Sequence, residues 1–295
     1  MFQKLIALLD EYSHEDFSIA TEKLHKFIFT VKNLNEILEQ IGIIPESITH
    51  DSTEEKLFAK VSDAVLARSF IELGLKSTVL TKRADSADVI AKSKIYGYTL
   101  VADAKAFRLS RTAKNQKDFK VNALSHWRKD ADFAVLCSPY FQYPKRQSQI
   151  YAQSLDNNVC LLSWEHILFL LQNHVKENEH TNLSTVWNFS EQQAESTLVS
   201  HKKNCFIQDF DLHCSSLSKI STLKNAPFET FSQFLNNCVD KIKARGSAEK
   251  LYWLAEIRAI EEYSREQAIA ELLKSKKIAE KIRQIEFYVN GISYD

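Results

Sequence analysis

The chain has 295 residues, 44% of them hydrophobic and 26% charged, enough for one large folded domain or two smaller ones. Lys and Arg total 38 and Asp and Glu total 38, so the formal charge is zero, which excludes a protein that coats nucleic acid through bulk charge. Five glycines, four prolines and no GxGxxG or GxxxxGK[ST] pattern exclude a glycine-rich phosphate loop, and no apolar run approaches the roughly 20 residues of a membrane helix. The N-terminus, Met1-Phe2-Gln3-Lys4-Leu5, carries no signal-peptide pattern. Cys137, Cys160, Cys205, Cys214 and Cys238 form no Cys-x-x-Cys pair, and both features predict a reducing, cytoplasmic setting.

Residues 1–75 read as helices. Leu5, Leu8 and Leu9, then Leu24, Phe27 and Ile28, then Leu34, Ile37, Leu38 and Ile41 recur at helical spacing. Ile44-Pro45-Glu46 breaks the pattern, and Ser52 with Glu55 forms a capping box that opens a helix to about Leu73. Residues 76–176 change character. Strand-like runs at Asp88–Ala91, Tyr98–Ala104, Phe133–Cys137 and Val159–Ser163 mix with helical sequence from Thr112 to Arg128 and from Glu165 to about Asn173. This predicts an α/β fold with a mixed central sheet flanked by helices. Residues 177–295 read as mainly helical, continuous with the core. Their polar stretches Lys176–Ser184 and Ser190–Asn204 suggest a linker or long loops. Helices follow at Phe206–Leu217, Pro227–Ile242, Ala248–Tyr263 and Ser264–Tyr288, the last behind a second capping box, Ser264 with Gln267. His201, Cys205, His213 and Cys214 fall on different helix faces, which argues against a zinc cluster.

The chemistry concentrates in the middle. Asp88 bounds one strand-like run, and Asp103 and Lys105 leave the next on one side, because strand side chains alternate with period 2. Two hard oxygen ligands suit Mg²⁺, and a neighbouring amine can orient or help deprotonate water, the minimal equipment for phosphodiester hydrolysis. An acid two residues before a Lys also occurs at Glu54/Lys56 and Asp118/Lys120, so the spacing alone is common. The plainer reading of Asp103 and Lys105 is a solvated ion pair worth a few tenths of a kcal/mol, on the order of 0.3. Only this pair, however, has a second Asp at the end of a preceding strand-like run. Glu55 is a candidate accessory acid, although its cap role accounts for it. From Lys105 to Lys120 the residues Lys105, Arg108, Arg111, Lys114, Lys117 and Lys120 face the single acid Asp118, a local charge of +5 in a neutral chain. Phe107, Asn115, Gln116 and Phe119 are interleaved, a pattern that fits nucleic acid as well as a solvated helix face.

The stretch Leu100-Val101-Ala102-Asp103-Ala104-Lys105-Ala106-Phe107-Arg108-Leu109-Ser110-Arg111 and its continuation Thr112-Ala113-Lys114-Asn115-Gln116-Lys117-Asp118-Phe119-Lys120-Val121 closely resemble the HindIII-type type II restriction endonucleases. So do Asp51 to Phe58, Phe141 to Pro144, Ser163 to His166, Glu249 to Trp253 and Ser264 to Ile269. The resemblance implies a PD-(D/E)XK nuclease core with N- and C-terminal helical regions, a homodimer, Mg²⁺ dependence, double-stranded DNA as substrate and cleavage within AAGCTT. It also implies a cognate DNA methyltransferase as system partner. By position Asp88 and Asp103 hold the metal and Lys105 activates water; Ala87 stands where the motif's Pro is expected. Amides suit adenine and Lys or Arg suits guanine in the major groove, so Asn115 and Lys117 are expected to read bases, with Asp118 on cytosine or on Lys117. Arg108, Arg111, Lys114 and Lys120 are expected to contact phosphates. The alternatives are a structure-specific repair or junction nuclease of the same core, a catalytically silent DNA-binding protein, and a helical interaction scaffold.

Overall fold

The computed structural model describes residues 1–80, 86–111, 116–144, 148–196, 199–221 and 229–290. It divides into two units, Met1–Ala244 and Arg245–Asp295. The first opens with helices α1 (Phe2–Tyr12), α2 (Phe17–Thr30), α3 (Asn35–Leu38) and α4 (Thr53–Glu72). Strands β1 (Lys76–Val79), β2 (Val89–Lys92) and β3 (Thr99–Ala104) follow, then helices α5 (Gln116–Phe119) and α6 (Val121–Trp127). Strand β4 (Phe133–Ser138), helix α7 (Gln149–Asn157) and strand β5 (Val159–Ser163) lead to helices α8 (Trp164–Gln172), α9 (Ser184–Trp187), α10 (Phe189–Ser196) and α11 (Val199–Ser221). Helix α12 (Phe231–Glu261) starts in the first unit and ends in the second, which also contains α13 (Arg265–Ser275) and α14 (Ile278–Asn290).

The five strands run in the order β1-β2-β3-β4-β5. Pairing is antiparallel from β1 to β3 and parallel from β3 to β5, so the sheet is mixed, as the sequence suggested. β5 is buried along its whole length and β4 almost so, as strands covered by helices on both faces require. Helix α4 is the first unit's central pillar. Ser52 caps it by accepting from the Glu55 amide at 3.2 Å, and Leu57, Phe58, Val61, Val65, Leu66 and Phe70 are buried around it. At the start of α8, Ser163 and His166 form a reciprocal cap, and His166 Nε2 lies 2.9 Å from Asp211 Oδ1. Ser163 and His166 are fully buried, so this Ser–His–Asp chain is a helix cap and not a nucleophile.

Several local expectations are corrected. β1 (Lys-Ser-Thr-Val) lacks the apolar alternation that marks a strand, because it forms the exposed edge of the sheet. Of the helical sequence expected from Thr112 to Arg128, residues 112–115 lie outside the described residues, and the rest forms two helices, α5 and α6, parted where Lys120 adopts a left-handed conformation with φ 52°. The polar stretch 190–204 is largely helical, since α10 buries Phe189 and Ser190, and α11 is anchored by Phe206, Phe210 and Cys214. Helix α12 continues through Gly246, whereas Lys277, φ 51°, ends the run begun at Ser264. The Ser264/Gln267 capping box forms as expected.

A buried carboxylate ties the connection between β2 and β3 to the chain that follows the sheet. Glu177 accepts from Ser93 Oγ at 2.5 Å, from the Tyr98 hydroxyl and from the Leu183 amide at 3.3 Å. Trp187 Nε1 donates to the same Tyr98 hydroxyl at 3.0 Å, and the Glu177 amide donates to the Leu73 carbonyl at 2.8 Å. Removing the acceptor strands buried donors, so Glu177→Ala is expected to cost about 3 kcal/mol in urea unfolding, whereas the exposed Glu179→Ala changes stability by less than about 0.5 kcal/mol.

Candidate active site

The antiparallel register of β2 and β3 pairs Val89 with Ala102 and Lys92 with Thr99. One step beyond Val89, this register sets Asp88 opposite Asp103. Lys105 lies two residues past Asp103, on the same side of the chain. Its amide donates to the Cys137 carbonyl at 2.7 Å and its carbonyl accepts from Trp164 Nε1 at 2.9 Å. The position of Trp164 depends on Gly42, where a Cβ would meet its Cδ1 at 2.8 Å. The backbone carrying Lys105 is therefore fixed from both sides.

Asp103 is almost fully buried, while Asp88 stays partly open. The Lys105 ammonium pairs directly with the buried Asp103 Oδ2. Burial raises the pKa of Asp103; the Lys105 charge opposes that rise and the Asp88 charge adds to it. A buried carboxylate stripped of water and set beside a second, partly open one suits a hard divalent cation. The three residues singled out in the sequence thus meet at one end of the sheet, and their donor set fits a metal such as Mg²⁺.

Two further residues join them that the sequence reading did not identify. Helix α4 presents Lys60 and Asp63, three residues apart on one face. Lys60 Nζ donates to Asp88 Oδ1 at 2.7 Å and to Asp63 Oδ2 at 3.3 Å. Asp63 is buried, and its pKa is raised well above the usual carboxylate range, first by burial and then by the Asp88 charge, with Asp103 adding to the rise. The available signal was position: Lys60 and Asp63 lie on the face of the helix opened by the Ser52 cap, but nothing local marks them as facing the sheet end.

Glu55, the candidate accessory acid, is engaged elsewhere. Its Oε2 accepts from the Asp51 amide at 2.8 Å, and its Oε1 accepts from Arg108 at 3.2 Å and 2.8 Å. Arg108 also donates to the Pro45 carbonyl at 2.9 Å, tying the segment after Lys105 to the start of α4. Arg111 pairs with Asp118 and lies over the Phe107 ring, and Phe107, Phe119 and Tyr143 pack at centroid distances of 5.6 Å. Lys117 and Lys120 are exposed, whereas Lys114 and Asn115 lie outside the described residues.

The family model for the HindIII restriction endonuclease matches residues 4–288. The chain is 46% identical over 293 residues to the type II restriction enzyme HindIII of Haemophilus influenzae, covering 98% of this chain and 95% of that protein. The solved structure of restriction endonuclease FokI aligns with a TM-score of 0.35 at 12% identity, over 56% of this chain and 32% of that one.

Glu165 follows Trp164 on α8, and Tyr140 donates its amide to Oε2 at 2.9 Å. Burial pushes the Glu165 carboxyl up to about 7, against the lowering effect of that amide. A carboxyl raised on folding stabilises the fold below its unfolded value and loses that contribution as pH rises through its folded value. Glu165→Gln is therefore expected to melt higher than the parent at pH 8, by about 2 kcal/mol of stability, and the gain is expected to vanish towards pH 4.5. Thermal melts across that pH range check this.

Proposed function

The chain belongs to the HindIII restriction endonuclease family and is a type II restriction endonuclease, and we propose that it hydrolyses double-stranded DNA within the palindrome AAGCTT in a Mg²⁺-dependent reaction, leaving 5′-phosphate and 3′-hydroxyl ends. The observation that supports this most is the meeting of Asp88, Asp103 and Lys105 where β2 and β3 end. Asp88 and Asp103 are the residues that would hold the metal. Bound there, the metal supplies charge stabilisation for the scissile phosphate and the leaving 3′ oxygen. Lys105, held by its backbone bonds to Cys137 and Trp164, keeps its ammonium beside Asp103 and orients the attacking water with one N–H. Asp63 is a further acid of the same cluster, buried and bridged to Asp88 by Lys60.

The segment from Arg108 to Lys120 is the proposed reading element. Asn115 and Lys117 take the base edges, while Arg111, Lys114 and Lys120 track phosphates. Asp118 acts by holding Arg111, and Arg108 acts as the anchor that fixes this segment to α4 through Glu55.

A palindrome calls for two copies related by a two-fold axis, one site per strand. The second unit supports a homodimer. Its helices leave Leu251, Ile260, Leu272, Ile282 and Ile285 more than half exposed, and no residue of α13 is buried. A unit of this size without a core of its own needs a partner surface.

Three outcomes are expected. A sequenced plasmid digested with Mg²⁺ should give discrete ends within AAGCTT and none with chelator. Ends set by DNA structure instead of sequence would favour a repair-type nuclease. Asp103→Asn and Lys105→Ala should each retain specific DNA binding in gel shift while cleavage falls by about 10²-fold or more. Sedimentation should give a dimer that Leu272→Asp with Ile282→Asp converts to monomer; a parent protein that sediments as a monomer at micromolar concentration would refute the dimer.

A further inference from the structure

Lys60 carries a charge that the cleavage reaction described above does not use. We propose that its ammonium is the resident cation of the active site: it holds the Asp88 and Asp63 carboxylates together before a metal arrives and competes with that metal for Asp88. The proposal rests on the reading of Asp88 and Asp103 as metal ligands.

The geometry is specific. Lys60 Nζ is 2.7 Å from Asp88 Oδ1 and 3.3 Å from Asp63 Oδ2. The turn that presents it is held from behind, where the His25 ring meets the Lys60 carbonyl at 3.2 Å. Asp63 and Asp103 are buried and Asp88 is partly open, so the cluster gathers three carboxylates against the two ammonium groups of Lys60 and Lys105. Without Lys60, three acids would share one counter-charge, and the end of β2 would lose the bond that holds Asp88 to α4. With Lys60 in place the ligands stay assembled in metal-free protein.

The same bond sets a cost on metal entry. Mg²⁺ and Mn²⁺ bind carboxylates through oxygen lone pairs, and an ammonium at 2.7 Å already engages one on Asp88 Oδ1. Binding a divalent cation therefore requires Lys60 to release Asp88 Oδ1 or to tolerate a second positive charge a few ångströms away. In either case Lys60 weakens the intrinsic metal affinity while it stabilises the metal-free site. It is a positioning residue, acting on Asp88 and not on the reacting atoms.

The test uses the full chain without DNA and Mn²⁺ alone, with free Mn²⁺ followed by electron paramagnetic resonance. Parent, Lys60→Met, Lys60→Gln, Lys60→Arg and Asp103→Asn are titrated in parallel, and each is melted in chelator and in saturating Mn²⁺. Lys60→Met is expected to bind Mn²⁺ at least about fivefold more tightly, since a unit charge beside the ligand oxygen is removed from a partly open site. Lys60→Gln gives the same reading if the methionine variant does not fold, and Lys60→Arg, which keeps the charge, stays within about twofold of the parent. In chelator Lys60→Met melts lower than the parent, and saturating Mn²⁺ closes that gap. Unchanged or weaker Mn²⁺ binding by the neutral variants, or a melting deficit that Mn²⁺ leaves in place, overturns the proposal and leaves Lys60 a packing residue. Loss of binding in Asp103→Asn alongside unchanged Lys60 variants refutes only the role of Lys60. Full binding by Asp103→Asn refutes the metal-ligand reading, and this proposal with it.

Discussion

The candidate active site depends on one register. With Val89 opposite Ala102, the next pair outward is Asp88 and Asp103, two carboxylates at the open end of an antiparallel ladder. A slip of one residue would set Asp88 against an alanine and turn its side chain to the other face of the sheet. The two strands are short, four and six residues, and their own pairing is a modest constraint. The register is reinforced from outside. Glu177 and Trp187 bind the two ends of the connection, Ser93 and Tyr98, while β4 takes the Lys105 amide in the parallel half of the sheet. A mixed sheet suits this arrangement: its antiparallel half brings two acids level, and its parallel half is buried on both faces and rigid.

The cluster is assembled against its own electrostatics. Asp63 and Asp103 are buried, and each has a carboxyl pKa raised above its ordinary value, chiefly by burial, with neighbouring carboxylates adding to the effect. The ionised forms therefore weigh against folding at neutral pH. The fold tolerates this because the surroundings are over-determined. Helix α4 is packed nearly all round, Trp164 braces the Lys105 carbonyl, and Arg108 fastens the following segment to α4. Stability gained in apolar packing offsets strain concentrated at a few charged atoms.

Much of this was legible in the sequence. Apolar runs marked β3, β4 and β5, and the Ser52 and Ser264 caps fell where expected. Asp88, Asp103 and Lys105 were identifiable because each sits at the end of a strand with a strong local signature. What stayed hidden was long-range. Lys60 and Asp63 read as ordinary polar residues of an amphipathic helix, and only the packing of α4 on β2 and β3 turns them towards Asp88. Glu55, read as a cap with an accessory acid as the alternative, and Arg108, expected on phosphate, lie 53 residues apart and bond to each other. Edge strand β1 escaped notice because an exposed edge has no apolar stripe to display.

The clasp around Glu177 also has a consequence in time. A ribosome delivers this chain from its N-terminus, so Asp88, Asp103 and Lys105 emerge long before Glu177 and Trp187. Until those two residues arrive, Ser93 and Tyr98 lack the partners that secure the hairpin. The nascent polypeptide thus carries Asp88, Asp103 and Lys105 without the clasp that secures their register. Closure of the buried clasp therefore waits until the chain has been made past Trp187, well beyond the residues whose register it secures.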